Sequence, residues 1–360
     1  MTTSTSQTRR LRWAVPLAIG GAVAGVALLP GAATADEHPS LPARTAAQLL
    51  VDLQGSDVHA LSGTVVETAR LGLPDLPTGS TGGAASPLGL LAGSHSVRVW
   101  ADGPQRQRVA LLGQLSEYDA VHSGTDLWTY TSAGDKVTHT TVPSDGAQRP
   151  AAAGDPAAYA TPQAAADALL KAVDPTTVVE VDRTARVAGR PAYQLVLKPR
   201  DTSSLVGSVR IAMDAATHAP LRVQAFSASD ATTPAIQVGF TDVSFSTPAA
   251  SVFRFTAPPG STVTESKLPT AADAKGWHAR PAGGTQPTVL GKGWTSVAEL
   301  SAPAATGGAK GSSTQLLDQL TTRVPGGRVL TTKLVSALLT DDGRVLVGAV
   351  TPQVLQDLAK

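Results

Sequence analysis

Seven histidines (His38, His59, His95, His122, His139, His218 and His278) are the side chains best suited to proton transfer or metal ligation near neutral pH. They are dispersed, with no H-E-x-x-H and no acidic partner at ligand spacing, so no metal site is expected. His95, His122 and His139 fall on strand-like segments, where ordinary face positions are expected of them. No G-x-S-x-G occurs, which leaves a nucleophile elbow unsupported. The stretch from Gly284 to Gly291-Lys292 imitates a phosphate-binding loop, but its spacing is wrong and neither Ser nor Thr follows the lysine. Asp341-Asp342 has the composition of an acid–base pair, yet D-D-G is foremost a turn, because Asp bonds its own backbone there. The chain has no cysteine, which excludes disulfides, a thiolate nucleophile and a lipidated N-terminal Cys. An enzyme is not expected, and no cofactor is implied.

What remains is apolar and aromatic. Trp100, Trp128 and Tyr130 either line an apolar pocket or pack a core. Leu71, Leu73, Leu76, Leu88, Leu90 and Leu91 lie at the two ends of LGLPDLPTGSTGGAASPLGLLAG (Leu71 to Gly93). A connection of that length without regular structure is unusual in a compact domain and often marks a lid or binding loop. Two readings are open for its leucines: a staple onto the core, or a flap over an apolar cavity.

The elements that must position these residues are short strands. LSGTVVETARLGLP, HSVRVWADGPQRQRVALLG and EYDAVHSGTDLWTYTSAGDKVTHTTV follow one another between Ala60 and Val142 as an antiparallel meander. Asp102-Gly103, Ser123-Gly124 and Ala133-Gly134 mark its turns. Before it, TAAQLLVDLQGS (Thr45 to Ser56) repeats apolar residues at i, i+3, i+4 and i+7 through Ala46, Leu49, Leu50 and Leu53, the pattern of an amphipathic helix. Thr161-Pro162 opens a second helix running to Asp174-Pro175. A second meander occupies Thr176 to Pro258, with corners at Ala188-Gly189 and Asp214 to His218.

Residues 1–35 carry Arg9, Arg10 and Arg12, then an apolar run from Trp13 to Leu29, then the A-x-A signature Ala33-Thr34-Ala35 before Asp36. This is the layout of a cleaved export signal, with an uncleaved N-terminal membrane anchor as the alternative. The segment holds three arginines and no acid, so cleavage changes the formal net charge from +1 to −2. Such a chain has no electrostatic footprint for nucleic acid. Hydrophobic residues make up 42% but aromatics only 4%, and 34 glycines with 26 prolines favour turns and loops over helical bundles. Residues 259–286 turn to Pro, Gly, Thr and Ser and read as a linker. Residues 287–360 read as a small α+β unit: a strand over Val289 to Leu300, a helix over Ser312 to Val324, a hairpin on Asp342-Gly343 and a terminal helix from Thr351.

The order of elements, with D-G-P-x-R-x-R-V (Asp102 to Val109) and D-L-W-T-Y-T (Asp126 to Thr131), resembles the LolA-like superfamily over residues 42–258. That superfamily includes lipoprotein carriers and the amino-terminal domain of RseB/MucB-type regulators. The resemblance implies a mainly β fold: a strongly curved antiparallel sheet, an unclosed half-barrel with helices on its concave side, and here a small C-terminal α+β segment added. It implies an apolar cavity for an acyl chain, lipid or lipoprotein in an exported, cell-envelope protein. The alternative it offers is an RseB-like regulator that engages a membrane-protein partner.

Overall fold

The computed structural model describes residues 38–56, 58–73, 92–112, 117–132, 134–142, 161–162, 166, 176–267, 288–301 and 319–360. The export segment, including Ala33, Ala35 and Asp36, lies outside the described residues. The chain is mainly β, built on a large, curved, unclosed sheet.

Helix α1 (Ala46–Gln54) starts where Thr45 and Gln48 close a capping box, each side chain accepting from the other's backbone N–H. Strands β1 (Ala60–Arg70), β2 (Ala92–Asp102), β3 (Arg106–Leu112), β4 (Glu117–Ser123), β5 (Asp126–Thr131) and β6 (Lys136–Thr141) form the first meander. Strands β7 (Thr177–Val187), β8 (Arg190–Pro199), β9 (Val206–Asp214), β10 (Pro220–Ser227) and β11 (Ile236–Ser244) form the second. The two meanders join through β1 and β11 into one twelve-stranded sheet, completed by β12 (Thr262–Lys267) beside β6. Every neighbouring pair is antiparallel except β12 with β6. Both ends, β7 and β12, are open edges, so the sheet does not close into a barrel.

β12 corrects the linker expected from residue 259 onward. Thr262–Lys267 opens with three β-branched residues, Thr262, Val263 and Thr264, and its partner β6 lies far away in sequence, so composition could not reveal the pairing.

The central seam has one close approach. A register shift at Thr64/Val65 brings the β11 backbone against Gly63, where a Cβ would sit 2.4 Å from the Asp242 carbonyl oxygen. A backbone oxygen cannot move aside as a side chain can. Gly63→Val is therefore expected to cost about 1–3 kcal/mol or more in chemical denaturation, the scale of forced overpacking.

Leu49 and Leu53 of α1 pack onto Tyr193, Leu195, Leu197, Val209, Ile211 and Met213, the side chains on one face of β8 and β9. Burying each leucine contributes roughly 1.5–3 kcal/mol. Ala166, from the second expected helix, joins the same cluster; most of that helix lies outside the described residues.

A second sheet has six strands in the order β13-β14-β18-β17-β16-β15: β13 (Thr288–Leu290), β14 (Val297–Ser301), β15 (Thr322–Val324), β16 (Gly327–Thr331), β17 (Ser336–Thr340) and β18 (Arg344–Gly348). The hairpin on Asp342-Gly343 joins β17 to β18, with Gly343 at φ 86°. Helix α2 (Pro352–Leu358) closes a core of Val297, Val329, Leu338, Leu346, Val350 and Leu355. The helix expected over Ser312 to Val324 is corrected at its end: Thr322–Val324 is β15, paired with β16 in a pattern too short to read locally. Ser312 to Asp318 lie outside the described residues.

The two sheets are hydrogen-bonded together. Leu205 N donates to Ala349 O at 2.8 Å, Thr351 N to Ser203 O at 3.1 Å, and Trp294 Nε1 to Thr177 Oγ1 at 2.8 Å.

Candidate functional site

Because side chains alternate across a strand, register assigns each expected site residue to a face. Trp100, Arg108, Val121, Trp128, His139 and Glu265 stand in one cross-strand row over β2, β3, β4, β5, β6 and β12. Tyr130 shares that face, since it is two residues from Trp128 on β5. The chain leaving β11 crosses this face as a strap: a 3₁₀ turn, Ala250–Phe253, buries Phe253 to 3% exposure. Arg108 holds it, donating through Nη1 to Val252 O while its other nitrogens grip Asp119 at 3.0 and 2.8 Å. Trp128 is stacked, with ring centroids 4.0 Å from His139 and 5.3 Å from Phe255 of the strap. The guanidiniums of Arg98 and Arg108 both lie over the Trp100 ring, 5.0 and 5.7 Å from its centroid. Tyr130 donates to Asp135 Oδ1. His139 bonds Asp126 and Glu265, both at 2.8 Å, and these bonds, Asp126's first, raise its pKa against the opposing effect of burial. The three aromatics thus share one face, and Trp128 packs directly under the strap.

Leu71 and Leu73 are placed elsewhere. Leu71 is buried with Ala235 and Leu334, Leu73 packs beside them, and Leu71 O accepts from Lys333 N at 2.9 Å. This part of the connection ties the large sheet to the small one. Leu76, Leu88, Leu90 and Leu91 lie outside the described residues.

The opposite face of the first meander carries a continuous apolar stripe. Val65 pairs with Val97, Val99 with Val109, and Val109 with Ala120; Leu111 and Leu127 stand in phase with them. Val65, Val99, Val109, Leu111 and Ala120 are buried, while Val97 and Leu127 are partly accessible. This face is continuous with the α1 face: Val65 pairs with Phe240 and Glu67 with Val238 on β11, and Val238 continues by register through Val223 and Ile211 to Leu195.

Buried polar groups flank the stripe. Glu67 pairs with His95 across β1 and β2, with His95 Nε2 at 4.0 Å from Glu67 Oε2. Burial pushes the Glu67 carboxyl up to about 7. At the other end Gln107, His122, Leu127 and Thr140 align across four strands. Burial pushes the His122 imidazole down, against the opposing pull of the Gly124 and Pro104 backbone groups and of Asp126. Among the described residues no group of His, Asp and Glu could hold a metal ion. The arrangement can bury an apolar group against the stripe and exchange a proton at Glu67. Alternation carried the signal for Glu67, which stands in phase with Val65 and Ala69 in TVVETA; scanning for catalytic spacing passes over it.

No protein-family model matches the chain, and no curated protein matches it. Among solved structures, the complex of Pseudomonas aeruginosa MucA with MucB is similar at 17% identity and a TM-score of 0.43, covering 87% of this chain and 96% of that one. An uncharacterised conserved protein from Thermus thermophilus is similar at 13% identity and a TM-score of 0.33, covering 61% and 98%. A LolA superfamily protein from Nitrosomonas europaea is similar at 13% identity and a TM-score of 0.23, covering 59% and 99%.

Proposed function

We propose that this chain is an exported, non-catalytic binding protein that holds a lipid, lipoprotein or other acylated molecule against the apolar stripe of its unclosed sheet. The observation that carries the reading is the stripe itself. It runs across five strands, β1 to β5, Val97 and Leu127 leave part of it accessible, and polar groups bound it at both ends. A face of this kind binds acyl chains by removing apolar surface from water, at about 0.8 kcal/mol per buried CH₂. Export rests on the basic and apolar layout of residues 1–35 and would put the protein in the cell envelope.

Organic extraction of the protein from its native host, followed by mass spectrometry, tests this directly: a co-purified acyl compound is expected. The double variant Val97→Ser with Leu127→Ser is expected to weaken binding of a fluorescent fatty acid about tenfold, the order of losing one to two well-buried methylenes. Unchanged binding by a folded variant would move the site off this face.

One observation favours a second reading, a regulator that engages a membrane-protein partner. The second sheet has its own core and is hydrogen-bonded to the first, an addition that holding a lipid does not require. A protein recovered without acyl material but with a tight envelope-protein partner would favour it.

A further inference from the structure

A polar cleft of about 260 Å³ opens on the face of the large sheet opposite α1. Its walls are the side chains that alternate with the α1 core: Gln194 on β8, Arg210 on β9, and Arg222, Gln224 and Phe226 on β10, with Asp182 of β7 beside them. Arg210 and Arg222 stand one register step apart on neighbouring strands, since Arg222 pairs with Ala212 and Arg210 with Gln224. Gly239 lies opposite Arg222, and a Cβ at 239 would come within 3.0 Å of the arginine's Cγ, so the glycine leaves room for this stem. The Arg210 guanidinium is seated over the Phe226 ring, 4.5 Å from its centroid.

Two cations therefore share one cleft. The Nε atoms of both arginines are buried and have no hydrogen-bond acceptor. Among the described residues no carboxylate forms an ion pair with either. Asp182 is the nearby acid, and its Oδ1 accepts from the Arg183 backbone at 2.8 Å. Burial, with the adjoining Arg210 charge, depresses the Arg222 pKa. Holding like charges with unmet donors destabilises the empty protein, and an anion between them reverses both costs.

We propose that this cleft binds a phosphoryl group, free or as a phosphomonoester, between the guanidiniums of Arg210 and Arg222. Each guanidinium presents a planar fork of donors that matches two oxygens of one anion. A tetrahedral dianion can engage both forks, whereas one fork satisfies a carboxylate. The volume admits a short organic group beside the phosphoryl, and Phe226 offers it an apolar wall. The cleft lies on the opposite face from the apolar stripe, so this inference stands independently of lipid binding there.

The test is thermal unfolding and calorimetric titration of the full chain with inorganic phosphate and glycerol phosphate. Chloride and acetate at equal ionic strength are the controls. Both phosphates are expected to raise the melting temperature saturably, and acetate is not. Flotation with phosphatidylcholine vesicles, with and without phosphatidic acid, separates a lipid headgroup from a soluble phosphate as the source. Arg222→Met is expected to weaken phosphate binding about tenfold or more, the scale of losing charge-assisted hydrogen bonds. The same variant should melt no lower than the parent when anion is absent, because it removes one of two like charges. Arg210→Gln provides a second variant should the first fold poorly. Phosphate stabilisation equal to that of chloride, or retained in full by either folded variant, would overturn the proposal.

Discussion

Replacing Asp214 by alanine is expected to destabilise the protein by about 3–5 kcal/mol, the range for removing one partner of a buried ion pair. Asp214 is 1% exposed at the end of β9. Its Oδ1 accepts from Ala216 N at 3.1 Å, Thr217 N at 2.8 Å and Thr217 Oγ1 at 3.0 Å, and both oxygens are held by Arg190. Burial alone would raise this carboxyl, but the Arg190 guanidinium and the Thr217 donors outweigh it and hold the pKa below the usual carboxylate range. Removing the side chain strands those donors and leaves Arg190, already one-third exposed, without its partner. The corner it organises, with His218 at φ 58°, joins β9 to β10. Equilibrium denaturation checks the magnitude. Arg190→Ala should cost less than Asp214→Ala, because it leaves the three turn bonds in place. Equal losses would show that the turn bonds contribute little.

Glu67→Gln is expected to act in the opposite sense. The Glu67 carboxyl is raised from 4.5 to about 7 by burial, so the folded protein holds a proton that the unfolded chain releases near pH 4.5. Its stabilising effect is thus full below pH 4.5 and is lost as pH rises to about 7. The shift corresponds to about 3 kcal/mol across that window. Only a fifth of the side chain is exposed, so solvent screens it little. Glutamine keeps the shape and never ionises. The variant should match the parent near pH 4.5 and exceed it by up to about 3 kcal/mol at pH 8, read from melting curves over that range. His95, which faces Glu67 across β1 and β2, is the ionisable neighbour that can reduce the gain. Parallel pH profiles for the two proteins would show that Glu67 is already solvated when charged.

Much of this architecture is written locally. The apolar and β-branched alternations from Thr64 to Ser244 became strands, because period two matches the pleat, whereas the Phe253/Phe255 alternation at the end of the second meander became a 3₁₀ turn and the strap. The turns expected at Asp102-Gly103, Ser123-Gly124 and Ala188-Gly189 formed where a glycine at positive φ reverses the chain. The helix over TAAQLLVDLQ formed because Thr45 and Gln48 cap it and its leucines fall on one side.

Tertiary structure decided which face each residue serves. Trp100, Trp128 and Tyr130 share the strap's face, and Leu71 went to the joint between the sheets, because neither the strap nor the second sheet is near them in sequence. The parallel pairing of β12 with β6 depends on a chain return of more than a hundred residues, which no local pattern encodes. Glu67 meets His95, and Arg210 meets Arg222, only through strand register. A one-residue slip would send each of these side chains to the opposite face, so strand pairing, more than composition, placed every polar group on which the chemistry of this protein rests.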